Sequence, residues 1–132
     1  MAEPVLADTS AWIESFRSQG DSAIRNRLSR FIEEGRVVVT GLVVTELLRG
    51  ACSPSDFETL EEALRPFPYI PFQERYWRDA AWLAYRLERR GVKTPTHDLL
   101  IASVAIHLGL ILLHKDRHFT LIAKHTDLKL AS

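Results

Sequence analysis

The stretch Pro95-Thr96-His97-Asp98-Leu99-Leu100-Ile101-Ala102-Ser103-Val104-Ala105-Ile106-His107-Leu108-Gly109-Leu110-Ile111-Leu112-Leu113 decides the fold. From Leu99 to Leu108 apolar side chains fall on every side of a helical wheel. A helix that is apolar all round is covered on several sides. Gly109 stops it, and Leu110–Leu113 reads as a buried strand. A buried helix feeding a buried strand is one step of a strand–helix alternation, and such alternation builds a parallel sheet between helical layers.

Outward from this stretch the alternation continues. Val5-Leu6-Ala7 is a short strand, and Asp8-Thr9-Ser10 is a helix start, where hydroxyls satisfy the free N–H groups of a first turn. A helix follows from about Ala11 to Arg17. Gly20-Asp21-Ser22 opens another, with Ile24, Leu28, Phe31 and Ile32 at helical spacing and Gly35 at its end. Val37–Thr40 is a strand by composition. Gly41–Gly50 carries β-branched residues, but Leu42, Thr45, Glu46 and Arg49 recur at helical spacing, so a helix is expected. Pro54 suits the first turn of a helix running to about Leu64. Phe67–Phe72 holds Pro68 and Pro71 and fits only an edge strand. Glu74–Arg90 is a long helix closed by Gly91. A short helix after Phe119 and a strand near Leu128-Lys129-Leu130 complete the chain. The expected architecture is α/β, a three-layer sandwich with a mainly parallel central sheet, as a single domain over residues 1–132.

Composition excludes several classes. The 132 residues are 46% hydrophobic and 26% charged, enough apolar material for one core. Seventeen basic residues balance 17 acidic ones, so no bulk field holds a polyanion; a local patch or a metal must do so. The single cysteine, Cys52, excludes an internal disulfide and a cysteine-based zinc site, and is expected to be a half-buried apolar residue. Met1-Ala2-Glu3-Pro4 does not read as a signal peptide, and no apolar run approaches the ~20 residues of a membrane span. A soluble, cytoplasmic protein with no membrane partner is expected.

In parallel α/β sheets, sites form beyond the carboxyl ends of the strands. Four acids stand at such places: Asp8 after the first strand, Glu46 in the apolar segment from Val37 to Leu48, Asp98 in the first turn of the apolar helix, and Asp116 after Leu110–Leu113. Each alone has an ordinary reading as a helix cap, a solvated residue, a dipole partner or a turn residue. The winding brings distant strand ends to one edge, so the four are expected to converge there. Four carboxylates in one cleft cannot all stay ionised without positive charge beside them. Mg²⁺ or Mn²⁺, which take octahedral oxygen ligands, supply it and serve phosphodiester chemistry.

Asp8-Thr9-Ser10, then Thr45-Glu46-Leu47-Leu48-Arg49-Gly50, then His97-Asp98-Leu99-Leu100-Ile101-Ala102, then Leu112-Leu113-His114-Lys115-Asp116-Arg117-His118-Phe119 resembles a PIN domain over essentially the whole chain. In size and in its Glu-Leu-Leu-Arg-Gly segment it is most similar to the VapC toxins of VapBC toxin–antitoxin pairs. The resemblance implies an Mg²⁺- or Mn²⁺-dependent endoribonuclease that hydrolyses RNA with metal-activated water. It carries catalytic and metal-binding roles onto Asp8, Glu46 and Asp98. Family members often have an acid two residues beyond the Asp116 position, where this chain has His118. Asp116 is assigned as the fourth acid, with His118 as a substitute or a group behind the acids. Thr9 or Ser10 resembles the family's hydroxyl residue that orients the first acid or a metal-bound water. Asp98 or Glu46 is the expected proton acceptor.

Around the acids, Arg89, Arg90 and Lys93, and then Lys115 and Arg117, form local basic clusters that suit RNA phosphates. His97 and His114 adjoin site positions, whereas His107 is expected as a hydrogen-bonded core residue. No histidine pair has zinc spacing and no serine has a nucleophile-elbow context. Trp12, Phe16, Phe57, Leu60 and the Trp77–Tyr85 helix exceed what a small core absorbs, so a homodimer is expected. A cognate VapB-like antitoxin is expected in a groove around Trp12, Ile13 and Phe16, with a basic side chain reaching the acids. Two other readings stand beside this one. A response-regulator receiver is also a small α/β protein with strand-end acids and a late lysine. A catalytically inactive PIN-like RNA-binding module would keep the fold without the chemistry.

Overall fold

The computed structural model describes residues 2–131. Five strands are present there: β1 (Val5–Ala7), β2 (Val37–Thr40), β3 (Tyr69–Ile70), β4 (Ile111–Leu113) and β5 (Lys129–Leu130). Seven helices alternate with them: α1 (Thr9–Phe16), α2 (Ser22–Glu33), α3 (Gly41–Arg49), α4 (Pro54–Leu64), α5 (Arg75–Arg89), α6 (Thr96–Leu108) and α7 (Arg117–Ala123). The strands form one sheet in the order β3-β2-β1-β4-β5, and every pairing is parallel. This is the expected sandwich. A receiver-type sheet has the order 2-1-3-4-5, so the strand order excludes that reading.

The chain begins in the middle of the sheet, walks out to β3 and returns to the far side of β1 at β4. Val5, Leu6 and Ala7 pair with Ile111, Leu112 and Leu113. Right-handed crossovers then send the helices of the two halves to opposite faces. Accordingly α1 packs on α2 and α3, and α3 on α4, while α5 runs along α6 and α6 meets α7. Residues 98–105 of α6 are all buried, as an all-round apolar helix requires. Gly109 closes it at φ 66°, a left-handed conformation that costs a side chain strain. The edge position of β3 explains its prolines: Pro68 needs no ladder donor there, and its carbonyl accepts from Val39 N at 2.9 Å.

The ambiguous segment after β2 is helical because Thr40 caps it, its Oγ1 accepting from Val43 N at 3.3 Å. Four local expectations need correction. Helix α1 starts at Thr9 rather than Ala11, because Asp8 itself is the cap. Trp12 is buried, in edge contact with Phe67, and is no surplus surface residue. His107 is exposed, because the solvent-facing side of α6 emerges in its last turn. Cys52 is exposed, in the loop before α4.

The β1–β4 pair is the centre of the core, and Leu112 is fully buried there. Leu112→Ala should lower the unfolding free energy by about 2–5 kcal/mol. Thr120→Ala, on an exposed position, should stay within ~0.5 kcal/mol. Urea unfolding followed by circular dichroism measures both.

Candidate active site

Parallel pairing brings the ends of β1 and β4 side by side, at the point where the strand order reverses. Asp8 N continues the ladder by donating to Leu113 O at 2.9 Å. The Asp8 side chain is 4% exposed. Its Oδ2 accepts from Ser10 N at 3.0 Å and from Ser10 Oγ at 2.7 Å. The same Ser10 hydroxyl accepts from Lys115 N at 2.9 Å, tying the loop after β4 to the start of α1. Asp8 Oδ1 is buried with no hydrogen-bond partner. A buried carboxylate oxygen without a donor is costly unless a cation completes it.

Asp98 lies in the first turn of α6 and is 6% exposed. Burial, reinforced by the carboxylates of Asp116 and Asp8, pushes its carboxyl up from 3.8 to about 7; the His118 imidazole opposes this. Asp116 caps α7, its Oδ1 accepting from His118 N at 2.9 Å. His118 Nδ1 stands 3.1 Å from Asp98 Oδ2 and 3.0 Å from Asp116 Oδ1. One donor atom each from Asp98, Asp116 and His118 lie within 4.8 Å of one another. These three residues, two carboxylates and one imidazole, fit a divalent cation, and the unpartnered Oδ1 of the neighbouring Asp8 adds a further negative oxygen at the same edge.

Asp8 is outside that tight group, and so is Glu46. The Glu46 carboxylate contacts His97 Nε2, and Thr9 Oγ1 approaches Oε1 at 3.5 Å. Of the two hydroxyls singled out from the sequence, Ser10 therefore holds Asp8 and Thr9 faces Glu46. His114 sits half-buried beneath the site. Burial pushes its imidazole pKa down, and its Nδ1 accepts from Asp116 N at 3.0 Å. It orients the Asp116 turn as a neutral ring, a role with no sequence signal beyond its position.

The basic candidates are all exposed. Arg89 lies over the Tyr85 ring, 4.6 Å from its centroid, at the end of α5. Arg90 and Lys93 occupy the loop leading to Asp98, and Arg117 opens α7. Lys115 is held by Asp21 at 2.6 Å, a pairing that the sequence separation of 94 residues hid.

The fold and this edge define a class. Residues 5–125 match the PIN domain family, and the chain belongs to it. Ribonuclease VapC11 of Mycobacterium tuberculosis is 35% identical over 133 residues, covering 97% of this chain and 98% of that protein. Two solved structures share the fold. FitAcB from Neisseria gonorrhoeae has a TM-score of 0.77 and 22% identity, covering 97% of this chain and 96% of that one. DNA-bound VapBC from Salmonella typhimurium has a TM-score of 0.79 and 18% identity, with 98% of both chains covered. Among the described residues no helix is long and apolar enough to cross a membrane.

The Asp98 environment sets a pH dependence for the metal-free protein. Its folded pKa exceeds the unfolded one, so the folded state holds the extra proton between pH ~4 and ~7. Stability from this group is full at low pH and is lost as pH rises through about 7. In chelator, the thermal midpoint should therefore fall by several degrees between pH 5 and 8. Asp98→Asn should flatten that fall, as read by calorimetry.

Proposed function

We propose that this chain is an endoribonuclease toxin of the VapC kind, dependent on Mg²⁺ or Mn²⁺ and restrained by a VapB-like antitoxin. The observation that carries the reading is the buried, unpartnered Oδ1 of Asp8, together with an Asp98 whose carboxyl is pushed up by burial and then by the charges of Asp116 and Asp8. The 35% identity to a ribonuclease along nearly the full chain supports it. Asp8, Asp98 and Asp116 would hold the cation. When bound, a divalent ion offsets their charge, acidifies water and stabilises the departing oxygen of a phosphodiester.

The remaining steps belong to side chains. Glu46 stands apart from the three acids and is partly exposed, so it is placed to take the proton of the attacking water. Thr9 and His97 flank its carboxylate. Ser10 holds Asp8 so that one oxygen faces Lys115's loop and the other stays free. Arg90, Lys93 and Arg117 would meet RNA phosphates, while Lys115 must first leave Asp21. The substrate is single-stranded or looped RNA, and the compartment is the cytoplasm.

Two partner surfaces fit the same reading. A groove of about 370 Å³ is lined by Ile13, Phe16, Leu47 and Leu60, with Glu46 and Asp56 on its walls. It suits an apolar antitoxin segment carrying a basic side chain toward the acids. The similar Salmonella fold is a VapBC assembly, which supports such a partner. The exposed Trp77, Trp82 and Tyr85 of α5, with Trp82 and Tyr85 stacked at 16°, suit a second copy of the chain.

Asp98→Asn and Glu46→Gln should each cut cleavage of total RNA with Mn²⁺ by roughly 100-fold or more, with unchanged circular dichroism. Wild-type protein that cleaves no RNA with either ion would overturn the enzyme reading. Phe16→Asp should abolish co-purification with the antitoxin but leave cleavage intact, because it charges the groove floor without touching the acids.

A further inference from the structure

His118 points its Nδ1 at two carboxylate oxygens at once. Its Nδ1 lies 3.0 Å from Asp116 Oδ1 and 3.1 Å from Asp98 Oδ2. All three atoms carry in-plane lone pairs, so a neutral Nδ1 acceptor would face two acceptors. Either an N–H proton or a cation must sit among them. A single proton on Nδ1 serves both oxygens poorly, because an N–H aimed at one is misaligned with the other. A cation serves all three at once.

The spacing suits this. An octahedral ion with ~2.1 Å bonds separates adjacent ligand atoms by ~3.0 Å. A tetrahedral ion with similar bonds requires ~3.4 Å. The observed 3.0 and 3.1 Å separations are compatible with octahedral edges as well as with hydrogen bonds, and the three donor atoms lie within 4.8 Å of one another. The buried, unpartnered Oδ1 of Asp8, whose charge acts on Asp98, is an independent sign that a cation completes this edge.

We infer that His118 Nδ1 is itself a metal ligand, so that the centre is a mixed nitrogen–oxygen site selective for Mn²⁺ and related first-row cations over Mg²⁺. Hard Mg²⁺ prefers oxygen and gains little from an imidazole, whereas first-row ions accept one readily. The inference rests on the divalent-cation reading above and refines it. His118 donates no proton and attacks nothing; it replaces one oxygen donor and retunes which ion the acids hold. The second atom that orients it is its own backbone N–H, which donates to Asp116 Oδ1 at 2.9 Å and locks the first turn of α7 around the acid.

The test uses the whole chain without RNA. Pulsed electron paramagnetic resonance of the Mn²⁺-loaded protein should show ¹⁴N coupling. The coupling should vanish in His118→Asp, which restores an oxygen donor and keeps Mn²⁺ bound. Competition calorimetry should give the wild type a Mn²⁺-over-Mg²⁺ affinity ratio at least ~10-fold above that of His118→Asp. If His118→Asp fails to fold, His118→Ala and the wild-type spectrum decide the question. Mn²⁺ bound without nitrogen coupling, coupling that survives in the variant, or equal affinity ratios would each overturn the inference while leaving the carboxylate site standing. No Mn²⁺ binding at all would overturn both.

Discussion

The pairing of β1 with β4 is the constraint on which the rest depends. These strands are separated by a hundred residues, yet Leu6 and Leu112 sit opposite each other with neither exposed to solvent. Both strands are apolar on both faces, so their register is marked by the ladder itself, continued beyond the strands by Ile111 N donating to Pro4 O at 3.1 Å and Asp8 N donating to Leu113 O at 2.9 Å. The pairing also fixes where the acids go. Asp8 and Asp116 leave adjacent strand ends in the same direction, and α6 must start at that edge to run back beneath β4. Asp98 in its first turn is therefore carried to the other two.

That arrangement works against stability. Asp98 is buried beside two further carboxylates, and its acidity is lost. An apolar residue there would pack at less cost, as buried charge is tolerated only where something compensates it. Strain of this kind concentrated at one sheet edge is the mark of a site. The surroundings keep the acids from escaping the conflict. Ser10 occupies one oxygen of Asp8, a neutral His114 fixes the turn at Asp116, and both caps are built into helices. The edge is held in one arrangement, so a divalent cation of the proposed kind would meet ligands that need little rearrangement.

Glu46 links this edge to the surface around it. The same carboxylate lies against His97, forms part of the α1–α3–α4 groove and lines a second hollow with Leu42, Phe72 and Trp77. A molecule seated in either hollow is within reach of the residue proposed to move the proton. In the proposed reading, the groove and the acids would therefore share a side chain.

Much of this was legible in the residues. The all-round apolar run of α6, its glycine stop and the apolar run after it dictate buried alternating elements, because only a two-sided core absorbs such segments. The helical spacing of Leu42, Thr45, Glu46 and Arg49 outweighed the β-branched content around it, and Thr40 supplied the cap. The four acids were visible as polar residues in apolar places. Local sequence carries this information because periodicity and capping act over a few residues. What it does not carry is distance across the fold. That Lys115 spends its charge on Asp21, that Trp12 is buried against Phe67, and that Glu46 stands outside the tight group follow from contacts between remote segments. The meeting of His118 Nδ1 with two carboxylates is of the same kind. It depends on how α6 and α7 seat against one sheet edge, and side-chain packing decides that only once the whole core has closed.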